Sequence, residues 1–216
     1  MADNHAFRQL LTDHCTPIVR QITDAMHPRL FPVKQVQDGA KLPVSHDPVL
    51  YRWWFPEDPD DSDTPVVWQV LLEHSHKDPA LAALLDEVEQ RTIDGKPYRA
   101  LYFGKSNNGY HRFYQHIRGT VRISTVRHTV YGLCIPGKYN ADHEPTIDKI
   151  LSRCYCEWTD FGDDGNLVGC FEEMCIALGK YPLNVDGNPA IGDEWRDILM
   201  EGRKTSKKKK TIRYSE

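Results

Sequence analysis

Along residues 4–26 the apolar side chains Phe7, Leu10, Leu11, Ile18, Ile22 and Met26 recur at helical spacing. Thr16-Pro17 has the form of a cap followed by a first-turn proline, so two short helices are predicted there. Residues 48–55, PVLYRWWF, are dense in β-branched and aromatic types and predict a strand. An acidic loop follows. The run VVWQVLL would suit a strand, but Thr64-Pro65 is a good helix start, and 65–75 is read as helix. Asp78-Pro79 caps a second helix, ALAALLDEVEQRT. Asp94-Gly95 predicts a turn, 98–104 a strand, SNNG a break, and a helix from about residue 110. Residues 152–158 alternate and predict a strand; FGDDGN turns, and a helix is expected over 167–179.

This order predicts an α+β fold: a small central, mostly antiparallel sheet flanked by helices. The expected organisation is an N-terminal helical extension over 1–47 and a main domain over 48–190. A helical insert of about 64–94 separates the first two strands of that domain, and a C-terminal segment over 191–216 ends in a basic, disordered tail. There are no internal repeats.

Charge sharpens the picture. The chain of 216 residues has a formal net charge of −4, yet no Asp or Glu lies between Asp94 and Asp142. That window holds Lys96, Arg99, Lys105, Arg112, Arg118, Arg122, Arg127 and Lys138, and a second basic run spans 203–213. The acids concentrate elsewhere, notably at 57–63. Such a bipolar surface attracts a polyanion. For the lysine tail, a solubilising role and non-specific attraction to DNA are equal readings. No apolar run is long enough to span a membrane. The N-terminus lacks the basic-then-apolar pattern of a signal peptide, so a cytoplasmic protein with free thiols is expected of the six cysteines.

The basic window also carries groups with chemical capacity. Arg112 and His116 are four apart and share one helix face. Arg112 has the forked donors that suit a phosphate, and His116 or a tyrosine could accept or position a proton. On the helix near 167–179, Val168, Glu172 and Ile176 form one line, so Glu172 places a charge in an apolar stripe. That is costly unless the carboxylate is paired or binds a cation such as Mg²⁺.

In this arrangement the chain resembles the GIY-YIG nucleases, most of all the stand-alone restriction enzymes among them. The matching elements are Val49-Leu50-Tyr51, then Tyr102-Phe103-Gly104 followed by Lys105, then Arg112-Phe-Tyr-Gln-His116, then Glu172 to Ile176, and Pro182-Leu183-Asn184. Val49 stands where the family has its first glycine, and roughly fifty residues separate the two tyrosines where compact members use a short hairpin. The resemblance implies hydrolysis of a DNA phosphodiester around one divalent metal ion, Mg²⁺ or Mn²⁺, bound by Glu172. It implies that Tyr51 helps activate water with Lys105 favouring its phenolate, that Arg112 stabilises the scissile phosphate, that Tyr102 and His116 complete the proton network, and that Asn184 orients the site. Lys105, Arg118, Arg122 and Arg127 are expected to hold double-stranded DNA. A homodimer on DNA is expected, with no membrane and no nucleotide cofactor.

Taken singly, Tyr102 reads as a strand aromatic and the Arg112–His116 pair as a solvated helix face; their ordered conjunction with Glu172 and Asn184 favours function. The rival readings are a repair, homing or phage-borne nuclease, a DNA-binding module that has lost catalysis, and a plain α+β protein-interaction domain with no salt-dependent DNA affinity.

Overall fold

The computed structural model describes residues 4–58, 63–135, 137–162 and 164–206. The lysine tail and part of the acidic loop lie outside the described residues. The elements are α1 (Asn4–Met26), β1 (Phe31–Pro32), α2 (Val33–Gln37), β2 (Val49–Pro56), α3 (Val67–Ser75), α4 (Pro79–Asp86), β3 (Gln90–Ile93), β4 (Lys96–Ser106), α5 (Gly109–Arg118), α6 (Thr125–Cys134), α7 (Glu144–Ser152), β5 (Tyr155–Asp160), α8 (Gly165–Leu178) and α9 (Asp193–Ser206). The five strands form one antiparallel sheet in the order β1-β5-β2-β4-β3. The expected α+β architecture is what the chain adopts. Among the described residues no helix is long and apolar enough to cross a membrane.

β2 is the middle strand, and all eight of its residues are buried. A strand covered on both faces reads as a continuous apolar run, which is why VLYRWWF carries no alternation. One face packs with α3, α4, α6 and α7, the other with α1 and α8. Arg52 is the exception in this apolar strand. It is fully buried, and its guanidinium is matched by Glu157 of β5 and by Glu89, over the ring of Trp54. A buried cation is tolerable only with such partners.

Three local expectations are corrected. α1 is one helix through Pro17, with the Thr16 hydroxyl bonding back to Thr12 O at 2.6 Å. Proline removes a single backbone bond, and Ile22 and Met26 fix the second half of the helix against α8 and β5. α4 stops at Asp86, and Gln90–Ile93 forms a strand. Asp94 and Gly95 both have positive φ, 50° and 79°, the geometry of a tight two-residue hairpin, and the turn folds Ile93 back onto Lys96. The hairpin overrides the helix propensity of EVEQR. β5 begins at Tyr155, because the Cys154 N–H is still used to close the end of α7 on Leu151 O.

β3 pairs with β4 only as far as Arg99. Ala100 N–H still bonds to Glu89 O, and beyond it no strand among the described residues lies beside the outer edge of β4. Leu183 N–H bonds to Leu101 O there, and the Asn184 amide takes both backbone groups of Phe103. A loop thus stands in for a strand.

Candidate active site

Beside that edge lies a cleft of about 610 Å³, lined by Tyr51, Tyr102, Lys105, Arg112, Glu172, Asn184 and Arg203 among others. The β2–β4 register sets Tyr51 opposite Gly104 and Trp53 opposite Tyr102. Tyr51 and Tyr102 therefore share one face as diagonal neighbours, with ring centroids 6.4 Å apart. A glycine at the end of the predicted strand 98–104 suits either a sharp backbone turn or a close approach to a ligand. Instead β4 continues to Ser106, and the glycine makes room: a Cβ there would lie 2.7 Å from Cζ and Oη of Tyr51.

α5 begins at an Asn108 cap whose side chain accepts from His111 N. Its pitch turns Phe113, His116 and Ile117 into the core and leaves Arg112 at the cleft. His116 is fully buried and lies behind the cleft. Its Nε2 is 2.9 Å from the Tyr51 hydroxyl, and its Nδ1 is 2.7 Å from Ser124 Oγ. Ser124 is also the N-cap of α6 and accepts the Arg127 N–H at 3.2 Å, so the imidazole is tied to a helix start. Burial, reinforced by the nearby cations Arg112 and Arg127, pulls the His116 pKa down to about 3. The ring is neutral at physiological pH.

Tyr51 is shifted the other way. Burial raises its phenol well above the ordinary value, Tyr102 and Glu172 raise it further, and Arg112 lowers it. Lys105 was expected to favour the Tyr51 phenolate, but its Nζ lies 3.6 Å from Glu172 Oε2. The cation acting on Tyr51 is Arg112. Burial raises the Glu172 pKa, with Lys105 opposing. Val168 and Ile176 of the same stripe are buried, which holds the half-buried Glu172 at the cleft wall.

Among the described residues there is no cluster of three or more His, Cys, Asp or Glu that could hold a metal ion. The donor set nevertheless fits Mg²⁺, which commonly takes one or two carboxylates and fills its remaining positions with water and substrate phosphate. Glu172 is one such carboxylate, and its cationic neighbour Lys105 shows that it already balances positive charge there.

Asn184 does not enter the cleft as a donor. Its Oδ1 accepts from Phe103 N and its Nδ2 donates to Phe103 O, each at 2.8 Å. It holds the β4 residue between Tyr102 and Gly104, and so acts by positioning.

The expected DNA-holding arginines fare differently. Arg127 is fully buried, with Nη2 3.0 Å from Glu144 and 2.6 Å from Asp148. It cannot present itself to a DNA backbone. The acids that neutralise it come from α7, beyond the acid-free window, which is why the window alone misled. Arg118 donates through Nε and Nη2 to Val36 O, and Arg122 sits over the Tyr139 ring at 5.1 Å. Neither lines the cleft. Two contributors were missed in the sequence. Ser124 has no signature beyond a helix cap, and Arg203 was counted with the basic tail but reaches the cleft from α9.

The family model of the GIY-YIG catalytic domain matches residues 49–205, most of the chain. That span contains every one of these cleft residues, and the antiparallel sheet with its flanking helices agrees with it. The fold is that of a nuclease; the chain belongs to the GIY-YIG family. Comparisons with curated proteins and with solved structures return no match. Nucleases of this family generally depend on a divalent metal ion.

Proposed function

We propose that this protein is a DNA endonuclease of restriction type that depends on Mg²⁺ or Mn²⁺ and acts on double-stranded DNA as a homodimer. The observation that supports this reading most is the convergence of β2, β4, α5, α8 and the 181–185 loop on one cleft. Six of the seven expected catalytic residues line it, and His116 is hydrogen-bonded to one of those six, Tyr51. α3 and α4, inserted between the first two nuclease strands, offer surface for reading sequence, which favours the restriction assignment.

In this mechanism the Tyr51 hydroxyl donates to Nε2 of the neutral His116, while Nδ1–H donates to Ser124 and locks the ring. The Tyr51 oxygen, held in that orientation, accepts a hydrogen bond from the attacking water and aims it at phosphorus. The water's proton leaves to solvent across the open cleft, and neither buried ring takes up a charge. Arg112 offers its fork to the charge developing on the phosphate. Tyr102 completes the phenol pair, and Asn184 keeps β4 in place beneath it. A divalent ion held by Glu172 would neutralise the phosphate and template the leaving oxygen.

The test is incubation of the purified protein with unmethylated genomic DNA and Mg²⁺, with the fragment ends sequenced. Cleavage at a recurring sequence is expected, and Arg112→Ala and Glu172→Ala should bind DNA without cutting it. Binding with no cleavage of unmodified DNA in either metal would sink the enzyme reading and leave a DNA-binding module.

A further inference from the structure

α6 and α9 touch backbone to backbone. A Cβ on Gly132 would lie 2.5 Å from Cα and C of Gly202, and a Cβ on Gly202 would lie 3.0 Å from Cα of Gly132. Only paired glycines permit this approach. The residue after Gly202 is Arg203, and the close crossing brings its side chain to the wall of the cleft that holds Tyr51, Tyr102, Arg112 and Glu172. Hydrogen bonds to two elements hold the guanidinium there. Nε donates to Thr129 Oγ1 at 3.0 Å, and Nη2 donates to Leu183 O at 3.4 Å. Thr129 lies on α6, and Leu183 on the loop that stands beside β4. The arginine is thus fixed from both sides of the crossing.

We propose that Arg203 is a second phosphate-binding residue of the cleft, taking a backbone phosphate of the DNA strand next to the one Arg112 serves. This rests on the nuclease reading of the site. Burial works against the charge on Arg203, with Tyr102 and Asp186 as its electrostatic partners. An anionic strand entering the cleft adds a charge-assisted partner to a cation that already stands at its wall. A planar fork tethered at two points keeps one orientation, as bidentate recognition of a phosphate requires. Neighbouring Lys204 gives the contrast, because it is exposed and pairs with Glu201 on its own helix.

The experiment is a salt titration of the full chain, in Ca²⁺ to prevent cleavage, on a duplex that the wild type binds. Arg203→Gln should weaken binding roughly 10-fold and make the slope of log K against log salt shallower by about 0.9, one phosphate contact. Lys204→Gln should leave the slope as it is. Arg112→Ala should instead lose rate at saturating DNA in Mg²⁺. A folded Arg203→Gln protein with wild-type slope and affinity overturns the proposal. Should that variant fail to fold, Arg203→Lys replaces it. The lysine keeps the charge and loses the tethered fork, so affinity should fall with the slope unchanged, and wild-type affinity would overturn the proposal. A wild type that binds DNA but never cuts it counts against the nuclease reading and leaves the slope comparison to judge Arg203. A wild type that does not bind DNA at all overturns both.

Discussion

The Tyr51 hydroxyl and His116 Nε2 lie 2.9 Å apart, between a cleft-lining strand residue and a fully buried helix residue. The pair sets a phenol of raised pKa against an imidazole of lowered pKa. Neither carries charge before substrate arrives. Tyr51→Phe keeps the ring and removes only the hydroxyl that holds the water. Single-turnover cleavage should slow by about 10²–10⁴-fold with DNA affinity almost unchanged. A rate within a few-fold of wild type would assign water activation to another group.

Gly104 is required by the tyrosine across the ladder. Gly104→Ala should displace the Tyr51 ring, cost about 1–3 kcal/mol of stability and abolish most activity. Combining it with Tyr51→Phe distinguishes the cause. The double variant should be no less active than Tyr51→Phe alone, and a further loss would mean that the alanine disturbs β4 itself.

The Lys105–Glu172 pair predicts a pH effect. Lys105 lowers a carboxyl pKa that burial raises. Lys105→Gln removes that opposition, so Glu172 holds its proton to a higher pH. The acid limb of kcat/KM should move toward neutrality in the variant. An acid limb that stays in place would show that another group controls it.

Acid stability follows from His116. Its folded pKa of about 3 lies far below the ordinary 6.5. The unfolded chain therefore binds the proton first, and stability is complete above pH 6.5 and is lost as pH falls toward 3. At about 1.4 kcal/mol per unit, several kcal/mol are at stake. Urea midpoints measured from pH 7 to pH 4 should fall, and His116→Gln should flatten that fall. Parallel curves for the two proteins would place the acid sensitivity in the carboxylate pairs instead.

The sequence shows the architecture because its strongest signals are local. PVLYRWWF, the Asp78-Pro79 cap and the Arg112–His116 spacing each carry their own physics. What it hides depends on partners far along the chain. Gln90–Ile93 became a strand because the Asp94-Gly95 turn delivers it to β4, and no periodicity in four residues announces that. Arg127 looked like a free surface cation because its acids, Glu144 and Asp148, lie on the next helix. Arg203 stood in a basic run and gave no sign that two glycines would bring it to the cleft. Gly104 gives no local sign that its use is the space that a missing Cβ leaves for a ring about fifty residues away.

The loop at Leu183 and Asn184 has a bearing on solubility. A strand edge with unpaired N–H and C=O groups is a template for adhesion to another chain. Here the open part of β4 adjoins the cleft, where a neighbouring strand would bar substrate from it. Leu183 and Asn184 occupy Leu101 and Phe103 with a backbone N–H and a side-chain amide. The edge is sealed against other sheets without an added strand, and DNA keeps its way in.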